Sequence, residues 1–391
     1  MEEKFADYGE VQIKQLNDRS KMYYTPNKEN NVFQLVVQYG AGEREFPKLG
    51  YAAQLMNNAG IMGAYEPQEL KEELSKLNAT CHVTADDDNL YIIMEGYEAT
   101  LPQACQLLSR QILMPKLDEK QLARLKGSAM GMRQQRKDNV SILNEALRQY
   151  MLYGEKSDYI KELTDKEIYE LQISELTGDI NRASNYEAKV FFTGTLPFDQ
   201  VYDILSKNLP LVANERPSNS PQAKDMMPVT ENTVYFLPNN DAEQAQIHLY
   251  IPMQKADKKD DVLRSAFNQY FGLDFTGIVL NEIREKRSMA YTAYAFVGTQ
   301  GIAGKASYLR GYIGTQNDKA NDALDVLMGL VNDMPKNPER IDNIKSYLRQ
   351  AMLTSHPSFR NKAMELVDLG YRGYTDDPAT VSYTHLRAHE T

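Results

Sequence analysis

Cysteine is scarce in this chain, long apolar runs are missing, and basic residues are outnumbered. Cys81 and Cys105, read on a strand and on a helix, are its two thiols. Two thiols make no disulfide scaffold, and their spacing is not that of a CxxC metal pair. No run of roughly 18 uncharged apolar residues occurs, so no membrane-spanning helix is expected. The opening MEEKFADYGEV has neither the basic n-region nor the apolar h-region of a leader. With 44 Lys and Arg against 54 Asp and Glu, the net charge is −10, and the basic residues form no block. That argues against a sequence-independent grip on nucleic acid. The expectation is a soluble protein, and nothing in the sequence chooses between a bacterial-type cytoplasm and a periplasm.

Hydrophobic residues at 42% and charged residues at 25% sit near globular averages, which excludes disordered and fibrous classes. A length of 391 residues exceeds what one core usually serves, so two domains are expected. Alternation in VQIKQL, KMYYTPN and NVFQLVVQYG reads as three strands of an antiparallel sheet. Helical spacing follows over 49–58 and 67–77, then a hairpin over 80–84 and 90–95 turning at Asp86-Asp87-Asp88-Asn89. A helical region from 99 to 151 is interrupted at Pro115 and near Asp138-Asn139. A strand over 189–193 and a helix over 198–209 complete a first domain, residues 1–211.

Residues 212–230, VANERPSNSPQAKDMMPVT, read as a linker, rich in Pro, Ser, Asn and Gln and without periodicity. The order then repeats over 231–380: strands 233–236 and 246–251, helices 260–270 and 277–285, strands 290–297 and 307–315, and helices 318–334 and 359–369. The fold class expected is therefore α+β, two repeated domains, each a mostly antiparallel sheet with helices on one face. If the repeats are equivalent, the second lacks roughly 50 residues that would supply a strand and a closing helix. The tail Val381–Thr391, VSYTHLRAHET, resembles a translated sequencing adapter, as in a metagenomic fragment, and is set aside with its His385, His389 and Glu390.

The segment NEIREKRSMAYTAY, 281–294, ends a helix and starts a strand within a few residues, with Arg284 and Tyr291 flanking the bend. A guanidinium fork and a phenol at such a corner can aim at one developing oxyanion and stabilise an acyl-transfer intermediate. The plainer alternative pairs Arg284 with a neighbouring Glu and packs Tyr291 under the sheet. Glu282, Glu285, Lys286 and Arg287 read as a solvated helix face. His82, His248 and His356 are scattered and read as ordinary structural residues. Asp86–Asp88 lack the Gly and distal Glu of a calcium loop and read as a solvated turn.

In spacing and flanks, R-E-K-R-S-M-A-Y with Arg284 and Tyr291 resembles the Arg/Tyr pair of the insulinase/pitrilysin family of zinc metallopeptidases, and NVFQLVVQYGAGEREFPKLGYAAQLMNNAG resembles its first strand and core helix. The resemblance spans about residues 8 to 380. It implies that this chain is the half lacking the zinc motif, with Arg284 and Tyr291 reaching a peptide carbonyl. Catalytic halves carry H-x-x-E-H on that helix. Here the stretch is Tyr51-Ala52-Ala53-Gln54-Leu55, and the helix expected to give a third ligand, near 121–135, contains no acid. A phenol, an amide and an aliphatic side chain cannot replace two imidazoles and a general base. No cofactor is therefore expected in this chain. Zinc is expected in a missing N-terminal half or partner subunit, with a peptide as substrate and no peptidase activity alone. A non-catalytic scaffold subunit of the same fold is the alternative.

Overall fold

The computed structural model describes residues 8–136, 139–212, 215–239, 242–273, 276–354, 357–375 and 377–380. Asp138, His356 and the adapter-like tail with His385, His389 and Glu390 lie outside the described residues. The first repeat opens with β1 (Gln12–Gln15), β2 (Lys21–Pro26) and β3 (Val32–Tyr39), followed by α1 (Leu49–Met56), a two-residue β4 (Gly60–Ile61) and α2 (Pro67–Lys76). Pro67 starts α2 without wasting a backbone donor, and a reciprocal Glu66/Glu69 capping box closes its first turn. The hairpin β5 (Ala79–Ala85) and β6 (Leu90–Tyr97) precedes α3 (Leu101–Leu113), β7 (Pro115–Lys116), α4 (Glu119–Arg136) and α5 (Val140–Tyr153). Three helices follow that periodicity did not reveal: α6 (Asp158–Lys161), α7 (Asp165–Glu170) and α8 (Ile173–Ala183). Strand β8 (Ala188–Gly194) and α9 (Phe198–Asn208) end the repeat.

Its sheet runs β1-β2-β8-β3-β6-β5, antiparallel throughout except where β2 and β8 lie parallel. Period-two alternation sends Phe33, Leu35, Val37 and Tyr39 of β3, and Leu90, Ile92 and Met94 of β6, to one face. There Leu49, Ala52 and Met56 of α1, Leu108 of α3, Ile180 of α8 and Leu205 of α9 join one core.

The second repeat comprises β9 (Gln244–Lys255), α10 (Asp261–Phe271), a short α11 (Ile278–Leu280), β10 (Ala290–Gly298), β11 (Ala306–Gln316), α12 (Ala320–Asn332), α13 (Ile341–Thr354) and α14 (Lys362–Tyr371). Its antiparallel sheet runs β9-β11-β10, the same order as β3-β6-β5. A separate core gathers Phe271, Val279, Ala295, Ile313, Leu327 and Leu348. The chain is thus α+β, built from a repeated sheet-and-helix unit. Helix α13 was not expected from the sequence.

Three features differ from the sequence reading. Residues 233–236, expected as a strand, belong to no sheet, and Val234 and Phe236 are 87% and 83% exposed. Their counterpart β2 is held by parallel pairing to β8. Among the described residues, nothing in the second sheet occupies β8's place beside β9, so 233–236 have no ladder to join.

The sheet faces away from the main helix layers are also not bare, because each receives a helix from the other repeat. Helix α5 lies on β9, where Asn144 Oδ1 is 2.7 Å from His248 Nε2. Its sequential counterpart α14 lies on β2, with Ala363 buried among Val11, Val36 and Phe191. Lys362 anchors α14 through a 2.7 Å ion pair to Glu10. Nor is 212–230 a loose tether. Asn219 N–H donates to the Gly40 carbonyl at 2.8 Å, Lys224 pairs with Asp87 at 2.8 Å, and Met227 N–H donates to the Leu152 carbonyl at 2.7 Å.

Candidate functional site

Helix α11 runs directly into a single π turn, Asn281–Glu285, closed by Lys286 N–H on the Asn281 carbonyl at 2.9 Å. Val279 and Ile283 are completely buried, so the turn is anchored from beneath while Arg284 stands beside it toward solvent. Glu282 ties down the outer side with ion pairs of 2.6 Å to both Lys286 and Arg287, and these cations hold its carboxyl below the usual range. The chain reverses at Ser288, whose φ of 51° is left-handed and uncommon for a residue with a Cβ.

Strand β10 then begins with an irregularity. Ala290 pairs with Thr315 and Thr292 with Gly314, so Tyr291 is an extra residue in its strand, a β-bulge. The phenol projects outward and is 74% exposed. The Arg284 guanidinium carbon lies 5.6 Å from the centre of the Tyr291 ring, and Arg284 Nε lies 3.4 Å from Glu285 Oε1. The structure thus brings Arg284 and Tyr291 together at an open corner. Half of the plainer alternative holds, since Arg284 does meet a neighbouring Glu. The other half does not, because Tyr291 is not under the sheet. A π turn and a bulge on consecutive elements are departures that recur at functional positions.

The other sequence-selected positions lie on α1. Tyr51 and Gln54 line a cavity of about 660 Å³, whereas Leu55 turns into the core and is 3% exposed. The helix facing them, α4, contributes Leu125, Ala129, Met132, Arg133 and Arg136 to the lining. No acid of α4 is among them. The arginines of this lining are ion-paired, Arg133 to Asp165 at 2.7 Å and Arg136 to Glu162 at 2.8 Å. Burial, then Asp87, Asp86 and Glu162, pushes the Glu43 carboxyl up. This donor set does not suit zinc. Among the described residues, no three His, Cys, Asp or Glu side chains group so as to hold a metal. Glu43, Arg133 and Glu162 were not singled out in the sequence, since three separate segments supply them.

The remaining expectations find these places. Cys81 and Cys105 are free, on β5 and α3. His82 is exposed. His248 is half-buried, and burial lowers its imidazole to about 4. The Asp86–Asp88 turn is more than solvated. Asp86 Oδ1 accepts from Asp88 and Asn89 N–H, and Asp87 and Asp88 each pair with Arg44 at 3.1 Å. Among the described residues no helix is long and apolar enough to cross a membrane.

Residues 184–348, which include the whole Arg284–Tyr291 corner, match the family model described as the peptidase M16 inactive domain. This part of the chain is thus similar to the peptidase M16 inactive domain. The fold agrees with solved structures. A peptidase M16 inactive domain from Pseudomonas fluorescens superposes with a TM-score of 0.71 at 18% identity, over 97% of this chain and 91% of that one. The periplasmic protease PqqL from Escherichia coli gives 0.74 at 14% identity, over 98% of this chain and 44% of that one. The ferredoxin protease FusC, in complex with Arabidopsis ferredoxin, gives 0.74 at 12% identity, over 97% and 43%. At such identities the likeness is one of fold, and this chain spans less than half the length of the latter two proteins. A comparison with curated protein sequences found no match.

Proposed function

We propose that this chain serves as the zinc-less half of an M16-type peptidase, closing a peptide-holding chamber against a zinc-bearing half and offering Arg284 and Tyr291 to the scissile carbonyl. The observation that carries the reading is the juxtaposition of guanidinium and phenol at an exposed corner, 5.6 Å from cation to ring centre. The partner half would hold the zinc and supply the hydrolytic chemistry. Within this chain, the Tyr291 hydroxyl donates a hydrogen bond to the oxygen on which charge develops. The Arg284 fork holds the carbonyl and stabilises the same charge. Such donors act best when fixed beforehand, and burial of Val279 and Ile283 fixes this turn. Peptide would be held partly by strand addition to a sheet edge of the other half, and selected by the size of the chamber.

A scaffold role for the same fold would need neither side chain, and an exposed tyrosine pinned at a bulge is an unusual feature for a scaffold to keep. The reading is tested by mixing the purified chain with a zinc-bearing half and following cleavage of a quenched fluorescent peptide. Cleavage that requires both components supports it. Full activity of the zinc half alone would instead favour the scaffold reading.

A further inference from the structure

The corner that displays Arg284 and Tyr291 is held by neighbouring backbone and side-chain groups. Ser288 N–H donates to the Arg284 carbonyl at 2.8 Å and Met289 N–H to the Ile283 carbonyl at 3.0 Å, so the left-handed residue closes the widened helix end. That arrangement is a C-terminal cap stretched by one residue to suit the π turn. One residue later the chain must enter β10 with a bulge, and there Thr315 acts. Its side chain is on β11 opposite Ala290, it is 2% exposed, and its hydroxyl donates to the Met289 carbonyl at 2.5 Å. Lys319 Nζ adds a contact of 3.4 Å to the Ser288 carbonyl.

A bulged residue has no ladder partner of its own, so the direction of its side chain depends on what fixes the strand on either side. After Tyr291, the regular pairing of Thr292 with Gly314 does this. Before it, the Thr315 hydroxyl grips the carbonyl of Met289, two residues upstream of the phenol. We propose that Thr315 and Ser288 are positioning residues that set the direction of Tyr291 relative to Arg284. Thr315 clamps the entry to the bulge, and Ser288 supplies the left-handed reversal that joins it to the π turn. The inference rests on the proposed use of Tyr291 toward a peptide carbonyl. It adds that this use depends on two residues besides the Arg284 and Tyr291 pair.

Thr315→Val keeps the shape and removes the donor, while Thr315→Ser keeps the donor. Ser288→Gly keeps access to the left-handed region, and Ser288→Val opposes it. The full chain carrying each change, together with Tyr291→Phe, is assayed with a zinc-bearing half. The chain alone is also labelled with 3-fluorotyrosine and followed by fluorine NMR, its Tyr291 resonance assigned by its loss in Tyr291→Phe. For Thr315→Val we expect kcat to fall on the order of 10- to 100-fold with KM nearly unchanged, the Tyr291 resonance to shift or broaden, and Thr315→Ser to restore both. Should Thr315→Val fail to fold, Ser288→Val against Ser288→Gly carries the same expectation. Wild-type kcat and an unmoved resonance in the folded Thr315→Val or Ser288→Val chain, with Tyr291→Phe impaired, would overturn the positioning role and leave the proposed function standing. Wild-type activity in Tyr291→Phe would overturn both.

Discussion

Tyr291 is largely exposed and His248 half-buried, and each carries a prediction. An aromatic side chain left 74% exposed forgoes the burial that most tyrosines of this chain obtain. Tyr291→Phe should therefore leave the melting temperature of the chain unchanged, as calorimetry would show. His248 lies on β9 against α5, with Nε2 on Asn144, and Arg310, Arg148 and Glu145 act on it through their charges. Burial first, then the two arginines, holds its imidazole at about 4 against an ordinary 6.5. The folded state therefore binds this proton less readily than the unfolded one. The stabilisation is present above pH 6.5 and is lost as pH falls toward 4. Replacing His248 by Gln should flatten the fall in stability between pH 6.5 and 4, measured by urea unfolding; an unchanged slope would remove His248 from that role.

At the scale of elements, the sequence was most legible where one periodicity ran uninterrupted. The strands at 32–39 and 90–97 and the helices at 67–76 and 101–113 show their buried faces as plain alternation or helical spacing. It was least legible in 158–183, where α6 and α7 have 4 and 6 residues and are too short to show a period. The start of α5 was marked by Asn139, whose side chain accepts from Ile142 N–H at 3.2 Å. Asn139→Ala should cost about 1 kcal/mol in stability, checked by chemical denaturation. Residues 233–236 misled because VYF has strong strand propensity, while the ladder it needs depends on a second strand elsewhere in the chain. On its outer side β9 is unpaired among the described residues, whereas its counterpart β3 is paired there with β8. Amides of β9 should thus exchange with deuterium at a lower opening free energy than those of β3. Equal protection of both strands in a monomeric sample would contradict this.

The corner at 281–294 was located from its residues, but its geometry was not. Neither the π turn nor the bulge has a signature in one sequence, because both are settled by the packing of Ile283 beneath and by pairing with β11. That Tyr51, Gln54 and Leu55 offer no imidazole and no carboxylate can be read directly from the sequence. The ion-paired cavity that accompanies them was not, because it is assembled across α1, α4, α6 and residues 222–225.

Over the whole molecule, the two repeats are interlocked rather than strung together. Helix α5 of the first covers the second sheet, α14 of the second covers the first, and residues 219–227 are fastened to the first repeat on their way between them. Phe191, 4% exposed and stacked on Tyr23 at 5.2 Å, lies under α14. Its replacement by Ala should cost about 3 kcal/mol or more. Interlocking of this kind gives a stiff frame, which the proposed presentation of two donors across a chamber would require. In the proposed function, this frame delivers the Tyr291 phenol to a carbonyl cleaved by chemistry housed in another half. The most direct test is the turnover number of the reconstituted peptidase with wild-type and Tyr291→Phe chains, at saturating peptide and matched complex concentration. Loss of one oxyanion donor predicts a fall in kcat of roughly 100-fold or more. An unchanged kcat would contradict the claim and leave Tyr291 an exposed residue with no part in the reaction.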